Sequence, residues 1–297
     1  MENERAAISR GYLNEEFRLY HLRDNEAQDI EYHFHEFDKI VVFISGSVSY
    51  IIEGKTYYLK PWDVLFIRHG IIHRPVISRE EMYERIVLWM NREFLDAHSY
   101  EGDNLSHCFK ESWQNKQFLL RFSAEDLAVF PAKMAELEKE VKLAEFGSRL
   151  MARTLFLQLM VKFNRCFMRG QAGVDSSAYN IDPKIEEVIG YINGNLDGDL
   201  SVEALSKRFF ISKYHFMRKF KGATGFSVHS YVLQKRLNMA AELLAAGNSA
   251  SQAAYKTGFS DYSSFLRAFK RMYNLTPRQF AGRKYKSWHG RDQENSD

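Results

Sequence analysis

At 297 residues the chain is long enough for two domains, and 45% hydrophobic with 27% charged residues describes a globular protein rather than a disordered or fibrous one. It has no apolar run of about 18 residues, so no membrane-spanning helix is expected, and its opening Met1-Glu2-Asn3-Glu4-Arg5 lacks the basic-then-apolar order of a signal peptide. Two cysteines, Cys108 and Cys166, are too few for a zinc cluster and suit a reducing cytoplasm. The net charge of +3 is unevenly spread. Residues 182–285 hold 16 basic against 8 acidic side chains, residues 1–181 hold 23 against 27, and the tail 286–297 holds 2 against 3. The C-terminal third is therefore the part suited to a polyanion.

From residue 17 to residue 90 the pattern is one of short strands. Ile40-Val41-Val42-Phe43-Ile44 is apolar on both faces and is broken by Gly46. Val48, Tyr50 and Ile52 alternate with Ser47 and Ser49, the period-two mark of a strand. Glu53-Gly54 makes a tight turn into residues 55–59, Pro61-Trp62-Asp63 punctuates, and strands are expected over 64–67, 74–77 and 83–90. Many short strands divided by turn signals predict an all-β sandwich or barrel.

His33 and His35 alternate on one predicted strand and so point the same way. With His73 they could form a three-imidazole metal site. The layout resembles the cupin fold: a His-x-His strand, a glycine after the next strand, a Pro-x-Asp turn and a later His. Metal-binding cupins usually add a Glu four residues after the second His. Lys39 stands there, a cation that would repel a metal. Trp62 replaces the usual turn glycine. No metal and no cofactor is assigned. By strand position and polarity, His33, His35, Tyr50, His73 and Trp89 are the candidate effector-binding residues; the alternation leaves open which of them face inward. The imidazoles read more readily as packing or hydrogen-bonding residues of a barrel than as direct ligand contacts.

Ser123-Ala124-Glu125-Asp126 has the spacing of a helix-capping box. Past Pro131, Met134, Leu137, Val141 and Leu143 predict a helix, and another is expected over 148–168. The second is apolar nearly all round at Leu155-Phe156-Leu157-Gln158-Leu159-Met160-Val161, so it needs neighbours on more than one side. Those could be the barrel and a second subunit, or packing within one chain. Gly173, Ser176 and Ser177 mark residues 171–181 as a linker. Asp182-Pro183 then restarts order, as N-cap and first helical residue.

The C-terminal third contains a duplication. Phe216-Met217-Arg218-Lys219-Phe220-Lys221 returns 49 residues later as Phe265-Leu266-Arg267-Ala268-Phe269-Lys270. Each copy follows a short predicted helix and a turn, over 201–211 and 250–259, which is helix-turn-helix anatomy. Phe at i and i+4 fixes the buried face. The opposite faces carry Tyr214, Met217, Arg218 and Lys221 in the first copy, and Tyr262, Ser263, Leu266, Arg267 and Lys270 in the second. Arg can pair with guanine, an apolar tip can touch a thymine methyl, and Lys can neutralise phosphate. An unbroken helix over 228–246 would hold the two copies at a fixed separation. The first copy, with Tyr214 and with Lys213 and Lys219 beside its frame, is expected to anchor binding.

Residues 182–285 resemble the AraC-type DNA-binding domain. The resemblance rests on Ala204-Leu205, Ser212, Arg218-x-Phe220-Lys221, Gly225, Arg236, Ala240, Leu243-Leu244, Gly258-Phe259, Arg267-x-Phe269-Lys270 and Thr276-Pro277. Residues 17–170 resemble the cupin-like sensing and dimerisation domain of the same family. It implies a multidomain chain: an all-β cupin-like barrel with helices over 1–170, a linker over 171–181, an all-α double helix-turn-helix domain over 182–285 and a polar tail over 286–297. It also implies a homodimeric transcription regulator, usually an activator touching RNA polymerase on double-stranded DNA, with a small-molecule effector such as a sugar in the barrel. No catalytic residue is assigned. Asn274 replaces a usual Gly. The helix over 250–257 lacks a common Ile-Ala pair and is expected to pack more loosely. Two other readings remain: a metal-dependent cupin enzyme fused to a DNA-binding module, and a constitutive DNA-binding dimer with no effector.

Overall fold

The structure, a computed structural model, describes residues 13, 15–24, 30–78, 81–169 and 176–282. It divides into two compact units after Ile181.

The described part of the first unit holds nine strands: β1 (Phe17–Asp24), β2 (Asp38–Ser45), β3 (Val48–Ile52), β4 (Lys55–Tyr58), β5 (Val64–Ile67), β6 (His73–Ile77), β7 (Tyr83–Met90), β8 (Leu119–Leu120) and β9 (Tyr179–Asn180). They form two antiparallel sheets, ordered β1-β7-β2-β5-β8 and β6-β3-β4-β9. Alternation gives each face of the larger sheet its own core. Ile40 and Val42 of β2 pack on the helical side, whereas Val41 and Phe43 pack toward the other sheet. That double burial is why this run reads as apolar throughout.

Turn chemistry sets the register. The β3–β4 hairpin closes on Glu53 (φ 50°) and Gly54 (φ 79°), the left-handed pair that matches the twist of the flanking strands. Trp62, standing where a glycine was expected, also adopts a left-handed conformation, φ 70°. Its N–H donates to the Phe43 carbonyl at 2.7 Å and its ring packs edge-on against Phe130. Packing of the half-buried indole against the core offsets the strain.

Among the described residues this unit also has four α-helices: α1 (Arg92–Ala97), α2 (His107–Gln114), α3 (Ala124–Lys142) and α4 (Ser148–Met168). The first two are too short for periodicity to announce. Ser123 caps α3 by accepting from the Asp126 N–H at 3.2 Å, so the helix runs through Pro131 instead of starting after it. Phe130, Met134 and Leu137 from α3 join Leu155, Phe156, Leu159 and Phe163 from α4 over the larger sheet. Val141, expected inside, is exposed. Of the stretch read as a linker, residues 171–175 lie outside the described residues, as does the tail over 286–297. The linker's end belongs to the barrel: Tyr179 pairs with Tyr57 of β4, Ala178 is buried, and the Lys55 ammonium lies 3.5 Å from the Tyr179 ring centre.

The second unit is helical: α5 (Pro183–Gly194), α6 (Val202–Arg208), α7 (Lys213–Thr224), α8 (Val228–Ala245), α9 (Ala250–Lys256) and α10 (Tyr262–Tyr273). Asp182 caps α5 through the Lys184 and Ile185 N–H groups, with Pro183 at the first position. The first half buries Ile185, Val188, Ile192, Leu205, Phe216, Phe220 and Tyr231. The second buries Leu237, Leu244, Ala253, Ala254, Phe265, Phe269 and Tyr273. Loose packing of α9 is not found. Ala253, Ala254 and Thr257 are buried, because small side chains let the helix approach closely, and Ser249 and Gln252 close a complete capping box.

Candidate functional site: two reading helices and a buried histidine cluster

Helices α7 and α10 are held by their paired phenylalanines, all buried. Tyr214, Met217, Arg218, Lys221, Tyr262, Ser263, Arg267 and Lys270 are exposed. Leu266 is the exception. It is half-buried against the second core, so it is not the free apolar tip that its position in the repeat suggested.

The two faces are not equivalent. Arg218 makes no hydrogen bond or ion pair among the described residues, and its guanidinium sits 6.0 Å from the ring centre of Tyr214, which is 74% exposed. Arg267 donates to Ser264 Oγ at 2.9 Å and lies 3.8 Å from the Asp261 carboxylate. Asp261 is there to cap α10, accepting from the Ser263 and Ser264 N–H groups. A negative charge therefore stands beside the second reading face. In the first copy Lys213 pairs with Glu203 and Lys219 with Asp182 at 2.6 Å. These two lysines are turned to their own unit and do not add the free positive charge expected of them.

What holds the two halves together is α8, an 18-residue helix of roughly 27 Å. Arg236, near its centre, donates from Nε to Leu196 O and from Nη2 to Gly198 O, both at 2.8 Å. Gly258, in the second turn, has φ +77°, and a Cβ there would lie 2.5 Å from Leu196 O and 2.9 Å from the Arg236 guanidinium. Only glycine permits that approach. The turn of the second motif is thus clamped against a loop of the first.

In the barrel, the sequence placed His33 and His35 on a strand. The structure places them on an extended segment joined to β6 by one bridge, His33 with His73, through two backbone hydrogen bonds of 3.1 and 2.9 Å. The three imidazoles converge, with ring nitrogens within 4.8 Å of one another. His33 Nδ1 lies 2.8 Å from Glu31 O and His73 Nδ1 lies 2.9 Å from Ile71 O. A carbonyl only accepts, so both rings carry their proton on Nδ1 and turn the Nε2 lone pair inward. Between them sits the residue that pattern reading did not count as part of the site. Lys39 Nζ lies 2.7 Å from His73 Nε2 and 3.2 Å from His35 Nε2, and Lys39 is only 6% exposed. Burial first, then the charge of Arg85, pushes its ammonium down to about 7. Burial and the Lys39 charge push His33 down to about 4 and hold His35 and His73 well below the usual imidazole range. The ammonium faces the His35 and His73 lone pairs that a metal would need, so these residues do not fit a metal ion.

The other candidates divide. Trp89 belongs to the cluster, its ring 6.3 Å from His35 and 4.5 Å from Phe37. Tyr50 does not: it is buried one interior position further along β3, where the Tyr83 hydroxyl lies 3.4 Å from its own. The signal for Lys39 was in the chain as an even-spaced partner of the inward-facing Val41 and Phe43.

Two family models match, an AraC-like ligand binding domain over residues 18–160 and a helix-turn-helix domain over residues 205–283. The chain is 24% identical over 274 residues to the HTH-type transcriptional activator RhaS of Mannheimia succiniciproducens, covering 92% of this chain and 97% of that protein. It is 40% identical over 91 residues to a probable transcriptional regulator, LumQ, of Photobacterium leiognathi, covering 30% of this chain and 37% of that one. Among solved structures, an apo form of ToxT of Vibrio cholerae carrying a single lysine-to-alanine change aligns at 15% identity and a TM-score of 0.38, over 91% of this chain and 98% of that one.

Proposed function

We propose, on the premise that the chain belongs to the AraC-type family of transcription regulators, that it is a sequence-specific DNA-binding activator whose hold on its operator is set by a small molecule in the barrel. The observation that carries this reading is the pair of exposed Arg-bearing faces, on α7 and α10, kept at one separation by α8 and the Arg236 clamp. Successive major grooves on one side of DNA lie roughly 34–36 Å apart, and a rigid spacer selects half-sites with that spacing. Arg218 and Arg267 would read bases while Lys221 and Lys270 neutralise phosphates. The effector would act by favouring one of two arrangements of the regulator.

A homodimer is part of this reading. Val129 on α3 and Leu150, Met151 and Val161 on α4 are exposed apolar side chains on the helices that cover the barrel. Contact with RNA polymerase completes the proposal for an activator. Among the described residues no helix is long and apolar enough to cross a membrane. The metal-dependent enzyme is not favoured, since Lys39 fills the position where its metal would bind and the relatives compared are named as regulators.

Genome-wide mapping of DNA bound by the full chain tests the reading. It should return a bipartite motif upstream of a small set of genes, with occupancy that changes with growth conditions. Bound DNA without a shared motif would count against it.

A further inference from the structure

The barrel cluster has more hydrogen-bond donors than acceptors. Lys39 can donate three bonds; two meet imidazole nitrogens, and among the described residues no carboxylate pairs with it. An ammonium only donates, so the His35 Nε2 facing it accepts and the His35 proton sits on Nδ1. That N–H has no partner in the described structure, and neither does the Trp89 Nε1–H. Both residues are more than nine-tenths buried, at 4% and 6% exposure. Arg85, four residues before Trp89 on β7 and on the same face, adds positive charge bearing on Lys39. Buried donors are nearly always satisfied in folded proteins, and a buried charge without a counter-charge is costly. What is missing here is an acceptor that carries negative charge.

We infer that the effector of this barrel is a small organic carboxylate, its oxygens accepting from the Lys39 ammonium and from the His35 Nδ1–H and Trp89 Nε1–H groups. The inference rests on the reading of the barrel as the effector site and narrows its chemistry. A neutral sugar supplies acceptors but no counter-charge to hold the buried Lys39 amine in its protonated form. Inorganic phosphate supplies charge but nothing to lie against the aromatic wall, where Phe37 stacks on His35 at 4.8 Å and meets Trp89. A carboxylate with an apolar body meets both demands.

Isothermal titration calorimetry on the full chain tests this with benzoate and hexanoate as probes, benzamide as the uncharged counterpart of the first, and glucose, inorganic phosphate and Zn²⁺ as alternatives. Lys39→Met and Trp89→Phe are titrated alongside; the second keeps an aromatic ring while removing the N–H donor and part of the indole's volume. At least one carboxylate should bind, benzamide should not, Lys39→Met should abolish binding, and Trp89→Phe should weaken it by roughly tenfold. The inference is overturned if neither carboxylate binds, if benzamide binds as well as benzoate, if both variants bind like the parent, or if only glucose, phosphate or Zn²⁺ binds. Operator affinity measured with the same probes separates the two levels. A response to glucose alone removes the carboxylate and leaves effector control standing, whereas absence of any specific operator binding strikes the regulator reading itself.

Discussion

Lys39 Nζ lies 2.7 Å from Nε2 of His73, and both residues are buried. The lysine stands among imidazoles that, in a related barrel, would surround a metal ion. A site that looks like a metal centre by residue type is thereby turned into a source of buried positive charge.

That relationship gives stability a pH dependence. The folded pKa is lowered for Lys39, to about 7 from 10.5, and for His33, to about 4 from 6.5; His35 and His73 are lowered as well. In each case the unfolded chain binds the proton more tightly, so stability is lost as pH falls. The Lys39 share disappears between about 10.5 and 7, and the His33 share from about 6.5 down through 4. Calorimetric melting of the full chain should show Tm falling across both windows, with the upper fall missing in Lys39→Met. A Tm that rises on acidification would contradict the account.

On the DNA side, Arg218→Ala should weaken specific binding by roughly 1–3 kcal/mol and relax preference at one position of the first half-site. Lys221→Ala should weaken all sequences alike and reduce the salt slope by about one. Fluorescence anisotropy over a salt series distinguishes the two patterns. Identical behaviour of both variants would remove the division of labour.

Asp261 sets a limit on the second half-site. Asp261→Asn keeps an effective N-cap and removes the carboxylate beside Arg267. Affinity for the second half-site should rise modestly at low salt and the gain should fade as salt screens this exposed charge pair. Unchanged or weaker binding would show that Arg267 does not act there.

Gly258→Ala probes the clamp. Its Cβ would intrude on Leu196 O and on the Arg236 guanidinium at a positive φ, which costs roughly 1–3 kcal/mol from backbone strain alone. Urea unfolding should show that loss, and the surviving protein should tolerate altered half-site spacing. A parent-like midpoint with unaltered spacing preference would dismiss the clamp.

Much of the fold was legible because its signals are local. The alternation at Val48, Tyr50 and Ile52, the turn at Glu53-Gly54, the Asp182-Pro183 start and the paired phenylalanines each depend on neighbours in sequence. The errors lay where distant residues decide. Pro131 sits inside α3 because packing over the larger sheet outweighs one lost backbone bond. Tyr179 and Asn180 became a strand because β4 offered an edge. Leu266 shares its repeat position with Met217 but lies against a different core. The candidate site followed the same rule. Its histidines were visible as a pattern, whereas Lys39 entered as an objection to metal and proved to be the cluster's centre.

The most direct test of the account is a hydroxyl-radical footprint of the full chain on a mapped operator. Two rigidly spaced reading helices predict two protected patches per bound unit on one face of the duplex, about 10–10.5 base pairs apart centre to centre, the first losing protection in Arg218→Ala and the second in Arg267→Ala. A single protected patch, or protection that does not respond to either substitution, would contradict it.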